Sequence, residues 1–183
     1  MSRFLHGHLL IASPYLSDRN FFRSVVLIVS HDEEHAFGLL LNRPGHDTLA
    51  AAWQRLSGEE CDRNERLRYG GPLEGPLMLL HGEPTLADTE LVPEVAISTT
   101  EQAVIETVEA GVDPLVPITG YSGWGPGQLE KELEVGGWMT WPATAEVVFA
   151  KPEEMWSIAS AQVSETIMPH LSNRHTPSDP RMN

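Results

Sequence analysis

From Gly120 to Leu133 the chain reads Gly-Tyr-Ser-Gly-Trp-Gly-Pro-Gly-Gln-Leu-Glu-Lys-Glu-Leu, preceded by an apolar run at residues 115–119. Glycines clustered this densely carry an entropic cost, offset only where the backbone turns sharply, takes positive φ or lets another group approach closely. Any fold this chain adopts must therefore supply one particular shape around Trp124. The pattern predicts a strand over residues 115–120, a glycine-rich loop with Gly123 at positive φ, and a helix whose apolar face is Leu129 and Leu133.

Short strands punctuated by Gly and Pro make up much of the rest. Residues 8–13 form a strand candidate stopped by Pro14, and the β-branched run at residues 24–30 has the near-continuous apolarity of a strand covered on both faces. Residues 36–41 read as its hairpin partner, with Gly38 at a bulge or close approach. Asn42-Arg43-Pro44-Gly45 breaks that strand, and Asp47 or Thr48 caps a helix presenting Leu49, Ala52, Trp53 and Leu56 on one face. A polar loop at 57–64 and a Tyr69-Gly70-Gly71-Pro72 turn lead to strands at 76–81 and 92–97, the second at an edge because of Pro93. Ser98-Thr99-Thr100-Glu101 has capping-box spacing and starts a helix that Gly111 closes. Residues 138–141 and 145–149 read as final strands, and Pro152 opens a helix carrying Met155, Trp156, Ala159 and Val163. From Ser164 the composition turns polar, with prolines at 169, 177 and 180, so a flexible tail is expected over 164–183. The class is α/β (α+β-like): one domain over residues 1–163, a strand-rich mixed sheet and about four peripheral helices.

At 183 residues such a chain buries about 70% of its unfolded surface. Twenty-six acidic against twelve basic residues give a formal charge of −14, and the only lysines are Lys131 and Lys151. A phosphate backbone is bound by clustered Lys and Arg, so direct nucleic-acid binding is not expected. Arg63, Arg66 and Arg68 lie among Glu59, Glu60, Asp62 and Glu65 and read as a solvated loop with local ion pairs. No apolar run approaches the roughly 20 residues of a membrane helix. His6, Gly7 and His8 interrupt any signal-peptide core, which makes the cytoplasm the expected compartment. Cys61 stands alone, which excludes an intrachain disulfide framework, and its acidic neighbours oppose a reactive thiolate.

Catalytic motifs are incomplete. His31-Asp32-Glu33-Glu34-His35 approaches the His-Glu-x-x-His of zinc peptidases, but Asp32 holds the position of the general base and the segment joins two strands, where a hairpin turn is expected. His6 and His8 share a strand face without an obvious third ligand. Ser122 lies one residue out of register with Gly-x-Ser-x-Gly, and Trp124 would crowd the bend a nucleophile elbow needs. As a phosphate cradle the glycine loop fails: Pro126 removes an amide donor, no Gly-Lys-Ser/Thr follows, and Glu130, Glu132 and Glu134 repel anions. Glu130 and Glu134 read as a solvated helix face. Trp124, Trp138 and Trp141 either pack a core or line a pocket. No cofactor is implied.

Four segments taken together resemble a known family. Gly7-His8-Leu9-Leu10-Ile11-Ala12-Ser13-Pro14, Leu41-Asn42-Arg43-Pro44, Gly70-Gly71-Pro72 and Gly120-Tyr121-Ser122-Gly123-Trp124 with Gly127-Gln128-Leu129-Glu130 are similar to successive motifs of the bacterial YqgE/AlgH family, from about Gly7 to Ala150. The resemblance implies a branched sheet curled into a partial barrel. It brings no assigned reaction, and the transcriptional-regulator label carried by members brings no DNA-binding motif. Members usually have Ala where this chain has Ser122, so no shared nucleophile is implied.

These readings give a non-enzymatic cytoplasmic binding or regulatory domain that acts through a protein or small ligand. The candidate cleft or structural residues are Asn42, Arg43, Gly70, Gly71, Tyr121, Gly123, Trp124 and Gln128, which offer turns, a guanidinium and an amide but neither base nor nucleophile. The alternative is a hydrolase using Ser122 or a histidine–carboxylate metal site.

Overall fold

Strands β1 (His8–Ala12) and β2 (Val25–His31) are apolar at consecutive positions because the sheet they belong to is covered on both faces. Leu9, Ile11, Val25 and Leu27 enter one core; Leu10, Ala12, Val26 and Ile28 enter another. All eight are fully buried. The period-2 alternation of a strand thus delivers apolar side chains to two cores. The computed structural model describes residues 4–14, 16 and 21–172.

β1 pairs antiparallel with β2 and, on its other side, with β10 (Trp138–Pro142). β2 turns through residues 32–35 into β3 (Ala36–Leu40); the register slips between Ile28 and Ser30, with Val29 the extra residue in β2, and Gly38 is a close approach, since a Cβ there would meet Val26 and Leu27 O. β3 pairs with the far end of β9 (Leu115–Trp124), whose first half pairs with β6 (Leu73–His81). β8 (Val95–Ser98) and β7 (Thr89–Val92) complete the order β10-β1-β2-β3-β9-β6-β8-β7. Where β3 diverges from β9 the sheet branches. There β5 (Arg66–Tyr69) runs parallel to β9, and β4 (Pro44–Thr48) lies antiparallel to β5. The mixed sheet curls into a half-barrel.

Helices fill the remaining faces. α1 (Leu49–Ser57) is capped by Thr48 and α2 (Glu101–Glu109) by Thr100; each threonine hydroxyl accepts an orphan N–H of the first turn. Together they cover a third core of Leu49, Trp53, Leu67, Leu79, Val104, Val108 and Leu115. α3 (Gln128–Glu134) seats Leu129 on the second core. α4 (Ala145–Val148) and α5 (Pro152–Ser172) close the first core with Val147, Val148, Met155, Ala159 and Val163.

Several local expectations are corrected. The glycine-aromatic segment is not a loop: β9 continues through it to Trp124, and Gly123 is extended in the sheet. Positive φ falls instead at Gly120 (73°) and Gly127 (67°). Residues 145–149 are not a strand, because Thr144 caps a helical turn there, which makes five α-helices among the described residues. Residues 92–97 are not one strand; the chain turns at Pro93-Glu94, where Glu94 has φ 63°. The polar stretches before and after α1 contain β4 and β5, recruited by pairing and not by apolar pattern. Arg68 leaves the solvated cluster to which the sequence assigns it. It is buried, and its guanidinium donates to Leu41 O and Ala150 O at 3.0 and 3.3 Å. Burial pushes its pKa down to about 10, against an opposing pull from Glu153. Arg63 does form the expected ion pairs, with Glu65 and Asp113. Helix α5 runs past Ser164 to Ser172, since polar side chains alone do not end a helix; residues 173–183 of the expected tail lie outside the described residues.

Candidate functional site

The turn after β9 sets the site. Gly127 takes the left-handed conformation that a side chain resists, and the chain enters α3 directly behind it. Gln128 Oε1 accepts from Gly125 N at 3.2 Å, and Gln128 Nε2 donates to Glu132 Oε1 at 3.1 Å, one helical turn on. Glu132 Oε2 accepts two indole protons, from Trp124 Nε1 at 3.1 Å and Trp138 Nε1 at 2.8 Å. Gly137 N closes onto Glu132 O at 3.0 Å, which brings Trp138 to the start of β10. A buried indole needs an acceptor, and here one carboxylate serves both.

Gln128, Glu132 and both tryptophans of this clasp line a cleft of about 450 Å³, together with Leu16, Phe21, Pro72 and Leu73. Phe21 meets Trp138 edge-on, with ring centroids 5.4 Å apart. Leu73 and Val135 are exposed at its mouth.

Gly123, Trp124 and Gln128, of the predicted residues, reach this cleft. Arg43 does not. Its guanidinium donates to the carbonyl oxygens of Phe22 and Asn42 and to Ser24 Oγ, and burial pulls its pKa below the ordinary arginine value. It borders a neighbouring groove that shares Phe21 and Pro72 with the cleft. Asn42 is buried; its Oδ1 accepts from Val25 N at 3.0 Å and its Nδ2 donates to Arg23 O at 2.8 Å. Asn42 and Arg43 therefore tie down the segment entering β2, next to Phe21. Gly70 and Gly71 press against β9: a Cβ on either would overlap the backbone of Gly120 or Tyr121. Tyr121 packs on Phe37 at the first core, with centroids 5.1 Å apart.

The hydrolase residues are also placed. Ser122 is 1% exposed in mid-strand opposite Gly38, and its Oγ donates to Gly70 O at 3.2 Å. A nucleophile elbow needs a serine at a strand-to-helix bend; this one is inside a sheet. The 32–35 segment is the expected hairpin turn, where the backbone N–H groups of His35 and Glu34 hold the Asp32 carboxylate below its usual range. His31 is buried: Nδ1 accepts from Leu5 N and Nε2 donates to Glu130 Oε1, both at 3.1 Å. His6 Nδ1 faces Val29 O and His8 Nδ1 faces His6 O. Among the described residues no three His, Cys, Asp or Glu side chains are grouped to hold a metal ion.

Glu132 and Phe21 escape the sequence reading. Glu132 had a signal, its position four residues after Gln128 on one helical face; Phe21 had none, because its role depends on two distant strands.

Residues 9–167 match the AlgH-like family. The chain belongs to that family. An AlgH-like relative, the UPF0301 protein of Stenotrophomonas maltophilia (strain R551-3), is 37% identical over 87% of this chain and 89% of its own length. The UPF0301 protein R00917 of Rhizobium meliloti (strain 1021) is 35% identical over 81% and 80%. The solution structure of the AlgH protein from Pseudomonas aeruginosa superposes with a TM-score of 0.74 at 30% identity, covering 97% of this chain and 98% of that one. A crystal structure from Corynebacterium diphtheriae, at 24% identity and TM-score 0.66 over 85% of each chain, shares the fold. The AlgH-like fold accounts for the branched sheet that the four motifs implied. Among the described residues, no helix is long and apolar enough to cross a membrane.

Proposed function

We propose that this chain is a non-catalytic cytoplasmic binding domain with a regulatory role, seating a protein or small ligand in the Trp124–Trp138 cleft. One observation carries the reading: among the described residues lining the cleft, the one hydroxyl, Ser122, is bonded to a backbone carbonyl and lies away from any base, while Gln128 and Glu132 are held by the fold and the walls are apolar and aromatic. Catalysis by nucleophile and base needs a hydroxyl or thiol within reach of a proton acceptor that is free to act. Ser122 spends its proton on a backbone carbonyl instead. Binding needs a preformed concave apolar surface with a few fixed polar groups, and this cleft has those attributes. The formal charge of −14 favours partners other than nucleic acid.

A fragment screen by ¹H–¹⁵N NMR on the full chain tests the proposal. Saturable shifts are expected at the indole N–H groups of Trp124 and Trp138. A screen in which every saturable ligand perturbs other regions would sink it, as would stoichiometric labelling of Ser122 by a fluorophosphonate.

A further inference from the structure

Resting on that reading of the cleft, we infer that its occupant is cationic: an arginine side chain from a basic segment of a partner protein. Among the described residues, Glu132 is the one ionisable residue lining the cleft. A carboxylate offers about four acceptor sites. The fold fills three of them, two indole N–H groups on Oε2 and Gln128 on Oε1, which leaves acceptor capacity on Oε1. Those three donors are neutral, and among the described residues no Lys, Arg or His forms an ion pair with Glu132. The negative charge thus sits beside two indoles without a countercharge from the described residues, against apolar walls where a complementary cation gains more than it would in water.

The walls select the kind of cation. Phe21, half-buried, presents aromatic surface beside the edges of the largely buried Trp124 and Trp138, and a planar guanidinium stacks on it while its fork reaches an acceptor. The exposed Leu73 and Val135 at the mouth extend the contact beyond one side chain, which suits a peptide segment better than a free amine. The strongly acidic chain also draws basic segments from a distance, an attraction that salt screens.

The test uses the ¹⁵N-labelled full chain with acetyl-Leu-Arg-Leu-amide and its citrulline isostere, which keeps the shape and removes the charge. Saturable shifts of the Trp124 and Trp138 indole N–H signals are expected, with the arginine peptide binding about tenfold or more tighter. Glu132→Gln, which retains a carbonyl oxygen for the indoles, should erase that preference. Equal binding of the two peptides overturns the inference while leaving the cleft a binding site. Retention of the preference in Glu132→Gln also overturns it. If that variant does not fold, the comparison of peptides on the unaltered chain still decides. Silence of both indole signals rejects the cationic occupant, and the fragment screen separately judges the cleft.

Discussion

Ser122 Oγ donates to the carbonyl oxygen of Gly70 at 3.2 Å, and the same carbonyl accepts from Leu40 N at 2.7 Å. Gly70 thereby links β3 and β9 at the point where the sheet branches. The hydroxyl that most resembled a nucleophile is a fastening of the fold.

Ser122→Ala should therefore behave as the loss of one buried hydrogen bond, costing about 1 kcal/mol. Urea denaturation measures that cost. A much larger loss would mean that Ser122 does more than bond Gly70.

Gly71→Ala and Gly123→Ala should differ sharply. A Cβ on Gly71 would overlap the Tyr121 carbonyl, which the sheet cannot move aside, and about 3 kcal/mol of destabilisation is expected. The melting temperature should drop by roughly 6–12 °C. At Gly123 the backbone is extended, and the nearest atom is the tip of the half-exposed Leu73 at 3.2 Å, so the change should stay within about 0.5 kcal/mol. Similar melting temperatures for the two variants would contradict this account of the branch.

Glu132→Leu removes the acceptor shared by two largely buried indoles. Leaving those donors unpaired should cost about 2 kcal/mol and alter tryptophan fluorescence, whereas Glu132→Gln should cost under about 1 kcal/mol. Equal stability of the leucine and glutamine variants would show that the clasp contributes little.

Acid should destabilise the fold in two windows. His81 is fully buried, with Nε2 donating to Ser98 Oγ and Nδ1 accepting from Glu83 N. Burial lowers its pKa, opposed by Glu83. The unfolded chain then takes up this proton before the folded chain does, so stability is complete above the ordinary histidine pKa, about 6.5, and falls as pH drops below it. Desolvation acts to raise the pKa of Asp88, but the backbone and hydroxyl donors of Thr100 and Thr99 outweigh it and hold the group at about 2. Its contribution is present above the unfolded carboxylate pKa and disappears between about pH 5 and pH 2. Denaturation across pH should show the Asp88→Asn variant flatter in the lower window only, and a His81→Gln variant flatter below about pH 6.5. Unchanged slopes would refute the assignment.

Apolar periodicity and capping chemistry made β1, β2, β3, α1 and α2 legible, because those signals lie within a few neighbouring residues. The same local logic mistook Val147-Val148 for strand, where the Thr144 cap and the first core imposed a helical turn. It also passed over β4 and β5, whose side chains are largely polar and whose pairing partners are remote in sequence.

For the candidate site, Gly123, Trp124 and Gln128 were legible as a group because they lie in one segment. Arg43, given in sequence as a cleft or structural residue, lies apart from them on the structural side, since a guanidinium looks the same in sequence whether it waits for a ligand or binds its own carbonyls.

By itself the sequence determined the family, the alternation that fills two cores from one strand, and the absence of any complete catalytic motif, because these depend on residue type and spacing. Tertiary structure decided that β9 runs through the glycines, that Ser122 bonds to Gly70, and that two tryptophans meet on Glu132. Each of those is a meeting of groups from separate elements, and which groups meet is set by the curl and branching of the sheet.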